Sequence, residues 1–222
     1  AQSDNDQSQF VAQKILEHRE AGIELKDMAI LIRSGWHSND LEVQLRASNI
    51  PFMKFGGFRF AETSHIKDVV AFFRVKANPL DRVSWQRVLL MLEGCGPKAV
   101  QTITDVIITH IHQGVRPNFS HFSKKAYAKD LEKILQIMDI PNTSPEAFLN
   151  AVMNFYEPLF QSKYDDFNKR KSDLESLSQI IKRYQNIETF LTEMTLEPAD
   201  GTQLGSETAI EDDEYVSIST IH

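Results

Sequence analysis

A chain of 222 residues suits one large domain or two small ones and is long enough to bury a real core. With 41% hydrophobic and 25% charged residues the composition excludes disorder, and the single cysteine, Cys95, excludes an internal disulfide and suits a reducing cytoplasm. No apolar run nears the roughly 20 residues of a membrane span, "AQSDNDQSQ" has no signal-peptide pattern, and the net charge of −7 counts against strong autonomous affinity for DNA or RNA while leaving room for a local basic patch.

Phe10 to Ala21 reads as a helix stopped by Gly22. "MAILI" (Met28 to Ile32) is a continuous apolar run, the pattern of a strand buried on both faces. A polar loop, "RSGWHSND", leads to a helix from about Asp40 to Ala47, with Leu41 and Leu45 one turn apart. Ser38 or Asn39 is placed to cap it, and Glu42 follows Asn39 at capping-box spacing. "IPFMKF" reads as a second strand ended by Gly56 and Gly57, so strand, helix and strand make a βαβ unit.

From there to Tyr215 the pattern is helical. Ile66, Val69, Val70 and Phe73 form one apolar face, with Pro79 closing the helix, and Trp85, Val88, Leu89 and Leu92 form another. "GCGP" breaks the chain, and Pro97 opens the next helix at its first position, where a missing N–H costs nothing. Leu131, Ile134, Leu135 and Met138 mark a further helix, and "SPEAF" (Ser144 to Phe148) is a serine-capped start. Leu174, Leu177, Ile181 and Tyr184 mark a long helix, and Phe190, Leu191 and Met194 a short one. "EPADGTQLGSE" reads as a polar linker. Then Tyr215 to Ile221 alternates as a strand, with Val216, Ile218 and Thr220 on one side. The expected fold is mainly α: a helical domain inserted into a partial α/β domain, whose small parallel sheet takes up the last strand.

The chemistry-bearing residues are few. No Gly-x-x-x-x-Gly-Lys-Ser/Thr loop is present, and Asp212, Asp213 and Glu214 precede their strand, so they read as a solvated acidic linker rather than a magnesium site. Arg33 follows a strand at its C-terminal edge, where open α/β sheets present ligand loops, and its guanidinium suits phosphate. Trp36 either stacks on a base or packs beneath the loop. "LEGCGPK" reads first as a tight helix–helix turn, although the helix opened by Pro97 offers N–H groups to an anion and Lys98 adds charge. Cys95 reads as a small apolar filler. His110 and His112, two apart on a helix, point to different faces and make no metal site, and "NKRKS" (Asn168 to Ser172) reads as a solvated helix start.

Three stretches carry a family resemblance. "DMAILIRSGWHSNDLE" is similar to the stretch after the ATP-sensing motif of UvrD/Rep/PcrA-like superfamily 1 DNA helicases: strand, Arg-Ser/Thr, polar loop, Leu-Glu. "FGGFRFAETSHIKDVVAFFRV" resembles that family's Gly-Gly-x-x-Phe followed by Ile-Lys-Asp, and "VSISTIH" resembles the start of its motif V. The family's continuation of motif V, Ser-Ala-Lys-Gly-Leu-Glu, does not occur, so the resemblance implies a chain that stops inside that motif.

The resemblance implies that residues 1–55 are part of RecA-like domain 2A, residues 56–208 the helical insertion 2B, and residues 209–222 the linker and the strand returning to 2A. It implies single-stranded DNA contacts from Arg33, Ser34, Trp36, His37, Thr220 and His222, although Gly35 stands where the family often has Asn. It implies duplex contacts from Gly94, Gly96 and Lys98, and a hinge at Gly56 and Gly57. The parent it implies is a cytoplasmic ATP-dependent 3′–5′ DNA helicase that uses ATP and Mg, with domains 1A, 1B and the rest of 2A as neighbours. This stretch, holding no cofactor, is expected to be inactive by itself. An autonomous helical protein–protein module and the equivalent part of an AddA/RecB-type helicase–nuclease are the alternatives.

Overall fold

In the computed structural model the C-terminal strand Val216–Thr220 (β3) lies between Ala29–Ile32 (β1) and Phe52–Phe55 (β2), parallel to both. Residues 3–55, 59–195 and 215–221 are described. Successive N–H groups around β3 serve opposite neighbours: Val216 donates to the Pro51 carbonyl at 3.0 Å and Ser217 to that of Met28 at 3.1 Å. The expected small parallel sheet is therefore present, with the last strand of the sequence in its centre and β1 and β2 separated by it.

By their contacts the residues divide into two units, Ala1–Thr63 with Thr192–His222, and Ser64–Leu191. In the first, Asp4–Glu20 (α1) and Asn39–Ala47 (α2) pack on one face of the sheet, burying Ala12, Ile15, Leu41 and Leu45 against Phe52, Val216 and Ile218. Helix α1 starts six residues earlier than periodicity predicts, because Ser3 caps it through a 3.1 Å bond from Asp6 N–H and acids fill its first turn. Gly22, at φ +90°, ends it, with Gly22 and Ile23 donating back to Arg19 and His18.

Two local expectations are corrected. Strand β1 is buried on one face, not two: Ile32 is in the core but Leu31 is 64% exposed. An apolar run reports hydrophobicity, not how many layers cover it. The cap of α2 also differs. Ser38 stands at the N-cap but makes no capping bond, and Glu42 turns into the protein. The box-like pairing sits one turn earlier, where Ser34 N–H donates to His37 Nδ1 at 3.1 Å and His37 N–H returns to the Ser34 carbonyl.

The second unit is helical: Ser64–Ala77 (α3), Arg82–Leu89 (α4), Pro97–His112 (α5), Ala128–Met138 (α6), Pro145–Lys163 (α7), Phe167–Ile181 (α8) and the first part of Ile187–Thr195 (α9). Its core is aromatic, with Phe73 against Phe148 and Phe190 at 4.9 Å each and Phe72 against Phe155 at 5.9 Å. Leu92 and Tyr184, expected on helices, fall just beyond the ends of α4 and α8. Ser144 occupies the N-cap of α7 without accepting a capping bond. Pro158 is tolerated inside α7 because it and Asn154, whose carbonyl loses its partner, both face solvent. No helix among the described residues is long and apolar enough to cross a membrane.

Candidate nucleic-acid interface

The β1–β3 register decides what meets at the C-terminal edge of the sheet. Ile32 pairs with Thr220, and Ile221 N–H donates to the Ile32 carbonyl at 2.9 Å. Arg33, the residue after β1, therefore leaves the sheet beside Thr220, exposed, and runs through Ser34 into the 3-10 turn Gly35–Ser38. The Trp36 ring is 47% exposed and lies 3.8 Å from that of His37, so it is not buried beneath the loop. Arg33, Ser34, Trp36, His37 and Thr220 thus form one polar and aromatic edge at strand ends. His222, Gly56 and Gly57 lie outside the described residues, as do Asp212, Asp213 and Glu214.

A residue that sequence reasoning missed holds this edge. Lys54 of β2 reaches the Gly35 carbonyl at 3.3 Å and pairs with Glu42 at 2.7 Å. An isolated lysine in a strand gives no local signal, because its partner is 12 residues away.

The second group of expected contacts belongs to the helical unit. Gly94 sits at φ +72° in the turn between α4 and α5, and Cys95 is buried beneath it. Burial pushes the Cys95 thiol up, which suits a filler and not a nucleophile. Gly96 is the N-cap of α5 in ordinary extended geometry, φ −77° and ψ 172°, and a Cβ there would meet nothing. Of the two glycines it is Gly94, not Gly96, whose conformation favours glycine. No side chain caps α5, so its first N–H groups point outward beside exposed Lys98. They border an open groove of about 470 Å³, to which Lys125 and Phe122 also contribute. Lys125 went unread because 27 residues separate it from Lys98.

His110 bonds back to the Val106 carbonyl at 2.7 Å, and no group of His, Cys, Asp or Glu among the described residues could hold a metal ion. Asn168, Lys169 and Lys171 are exposed in the first turns of α8.

The first unit is thus an α/β unit built on a small parallel sheet, and the second is a helical unit with an uncapped glycine turn. The chain belongs to the family described as the UvrD-like helicase C-terminal domain, which matches residues 1–222. It is 29% identical over 197 residues to the "ATP-dependent DNA helicase PcrA" of Staphylococcus epidermidis (strain ATCC 35984) and equally so to that of Staphylococcus aureus (strain Mu50). Each alignment covers 86% of this chain and 26% of the relative, so the chain spans about a quarter of the length of the curated relatives it matches.

Proposed function

We propose that this chain is the DNA-contacting part of an ATP-dependent DNA helicase that moves 3′ to 5′ in the cytoplasm. The observation that supports the reading is the β1–β3 register, which brings Arg33 out of the sheet beside Thr220, with Ser34 and the turn of Trp36 and His37 following it in the chain. Arg33 would fork onto phosphate and Trp36 would stack on a base, with Ser34, His37, Thr220 and His222 as further contacts. In this reading the sheet unit is part of RecA-like domain 2A, and the helical unit is the 2B insertion, entered through a hinge at Gly56 and Gly57. The turn of Gly94, Gly96 and Lys98 would hold duplex at the junction. ATP and Mg would be bound with the help of domains 1A, 1B and the rest of 2A.

Arg33→Ala is expected to weaken binding of an oligo-dT strand about tenfold and to make its salt dependence shallower by about one unit of slope. Fluorescence anisotropy across a salt series checks this, and unchanged affinity refutes the single-strand contact.

The chain by itself is expected to hydrolyse no ATP with or without DNA, since it has no Gly-x-x-x-x-Gly-Lys-Ser/Thr loop. Phosphate release above that of a mock preparation would overturn this.

A second reading, a helical protein-contact module, draws support from exposed Leu80, Val83 and Leu90 around α4 and from the net charge of −7. It is favoured if neither single-stranded nor duplex DNA binds.

A further inference from the structure

Glu42 is the least accessible carboxylate among the described residues, with 0% of its surface exposed, and the proposed DNA contacts make no use of it. It lies on α2, one turn past the loop that carries Trp36 and His37. One carboxylate oxygen lies 2.7 Å from Lys54 Nζ and 2.8 Å from Ser38 Oγ. The other accepts the Phe60 backbone N–H at 2.7 Å. The Lys54 side chain is itself only 5% exposed and reaches on to the Gly35 carbonyl, to which Ser38 Oγ also lies close at 2.8 Å. Both ends of the turn are thereby tied to one buried ion pair: Gly35 through Lys54, and Ser38 directly.

An ion pair this deep is poor evidence of stabilisation, because desolvation of two charges offsets most of their attraction. What such a pair supplies is geometry. A carboxylate that accepts three directed bonds holds its donors in one arrangement, and a loop bordering single-stranded DNA needs its aromatic and cationic side chains presented within a fraction of an ångström. Among the described residues the turn makes no other side-chain tie of this depth to β2.

We infer that Glu42 is a positioning residue, which, through Lys54 and Ser38, fixes the Gly35–Ser38 turn so that Trp36 and His37 face the nucleic acid. The inference rests on the single-strand reading of that loop, and the test separates the two. Glu42→Gln/Lys54→Met removes both charges at once and avoids the unpaired buried ion that either change alone would leave. The amide can accept from Phe60 N–H and donate to Ser38 Oγ, but no cation then holds the Gly35 carbonyl.

The measurements use a Trp85→Phe background, which leaves Trp36 as the only tryptophan. The double variant is expected to melt cooperatively near the parent's temperature. Acrylamide quenching of Trp36 is expected to rise about twofold, and oligo-dT affinity to fall about tenfold, the weight of one charge-assisted bond. Lys54→Arg, which keeps the cation, is expected to leave both readouts near the parent's. A cooperative double variant with the parent's quenching and affinity overturns the inference. Should that variant fail to fold, Ser38→Ala cuts the second tie with a smaller change and carries the same expectation for quenching, with an unchanged value again overturning it. If Arg33→Ala leaves oligo-dT binding unaltered, the DNA reading fails by itself, and Trp36 quenching, measured without DNA, still decides whether Glu42 positions the turn.

Discussion

Asp68→Ala is expected to lower the stability of the helical unit by about 3 kcal/mol, read as a fall in its urea midpoint. Asp68 lies on α3 and is almost fully buried. One oxygen takes Arg87 Nε at 2.8 Å, and the other takes Tyr156 OH at 2.9 Å, Lys163 Nζ at 2.7 Å and Tyr164 OH at 3.1 Å. A single carboxylate thus joins α3, α4 and α7. The cost sits mainly with Tyr156, whose phenol is buried and would lose its acceptor. Arg87 and Lys163 are more than a third exposed at the side chain and can turn to water, so their share is small.

The same hub has a pH signature. Burial, and after it the charge of Asp68, pushes the Tyr156 phenol well up. Burial alone would lower the Lys163 ammonium, but the bond and charge of Asp68 outweigh it and raise it. Both groups hold their protons more tightly in the folded state, so their contribution is whole below about pH 10 and falls as the pH climbs from there. In Asp68→Ala that alkaline decline is expected to flatten. An unchanged midpoint and an unchanged alkaline profile would remove Asp68 from its place as a hub.

Gly96→Asp is expected to move stability and duplex binding in opposite directions. Gly96 already has N-cap geometry, and there is room for a side chain. Aspartate there would accept from the free N–H groups of the first turn of α5, raising stability by about 0.5 kcal/mol. Those are the groups a phosphate would use, so duplex affinity should fall more than tenfold, with oligo-dT binding unchanged. The loss should be similar for duplexes of any sequence, since backbone contacts carry no base information. Lys98→Glu should follow with a salt slope shallower by about one unit. A variant that gains stability and binds duplex as the parent does would make this a turn and nothing more.

What could be read in advance follows the range of the interactions involved. Pro97, Gly22 and the alternation of Val216 and Ile218 carry their meaning within a few residues, and the structure places each accordingly. The polar start of α1 has no apolar stripe and depends on a cap, so periodicity passed over it. Glu42 matched a capping pattern three residues from Asn39, yet its partners Lys54 and Phe60 are 12 and 18 residues away. Asp68 reaches Tyr156 across 88 residues. In the candidate edge, Arg33 and Trp36 share one short stretch of sequence, whereas Lys54, which bonds to that loop at Gly35, is 19 residues away from it. Buried charge is satisfied by tertiary partners, and a local pattern has no record of them.

The central place of β3 has a consequence for how the chain is made. Among the described residues β1 and β2 do not bond to each other; each pairs with β3. Ile32 meets Thr220 across 220 − 32 = 188 residues. At a synthesis rate of about 5–20 residues per second, the first two strands leave the ribosome roughly 10–40 s before their common partner exists. During that interval the helical residues 64–191, which cluster as one compact unit, have the partners that they need within their own stretch of chain. Two open strand edges meanwhile wait unpaired, and they invite association with other chains until β3 arrives. The pairing of β1 and β2 into this sheet therefore has to wait for residues 216–220, however early those two strands are made.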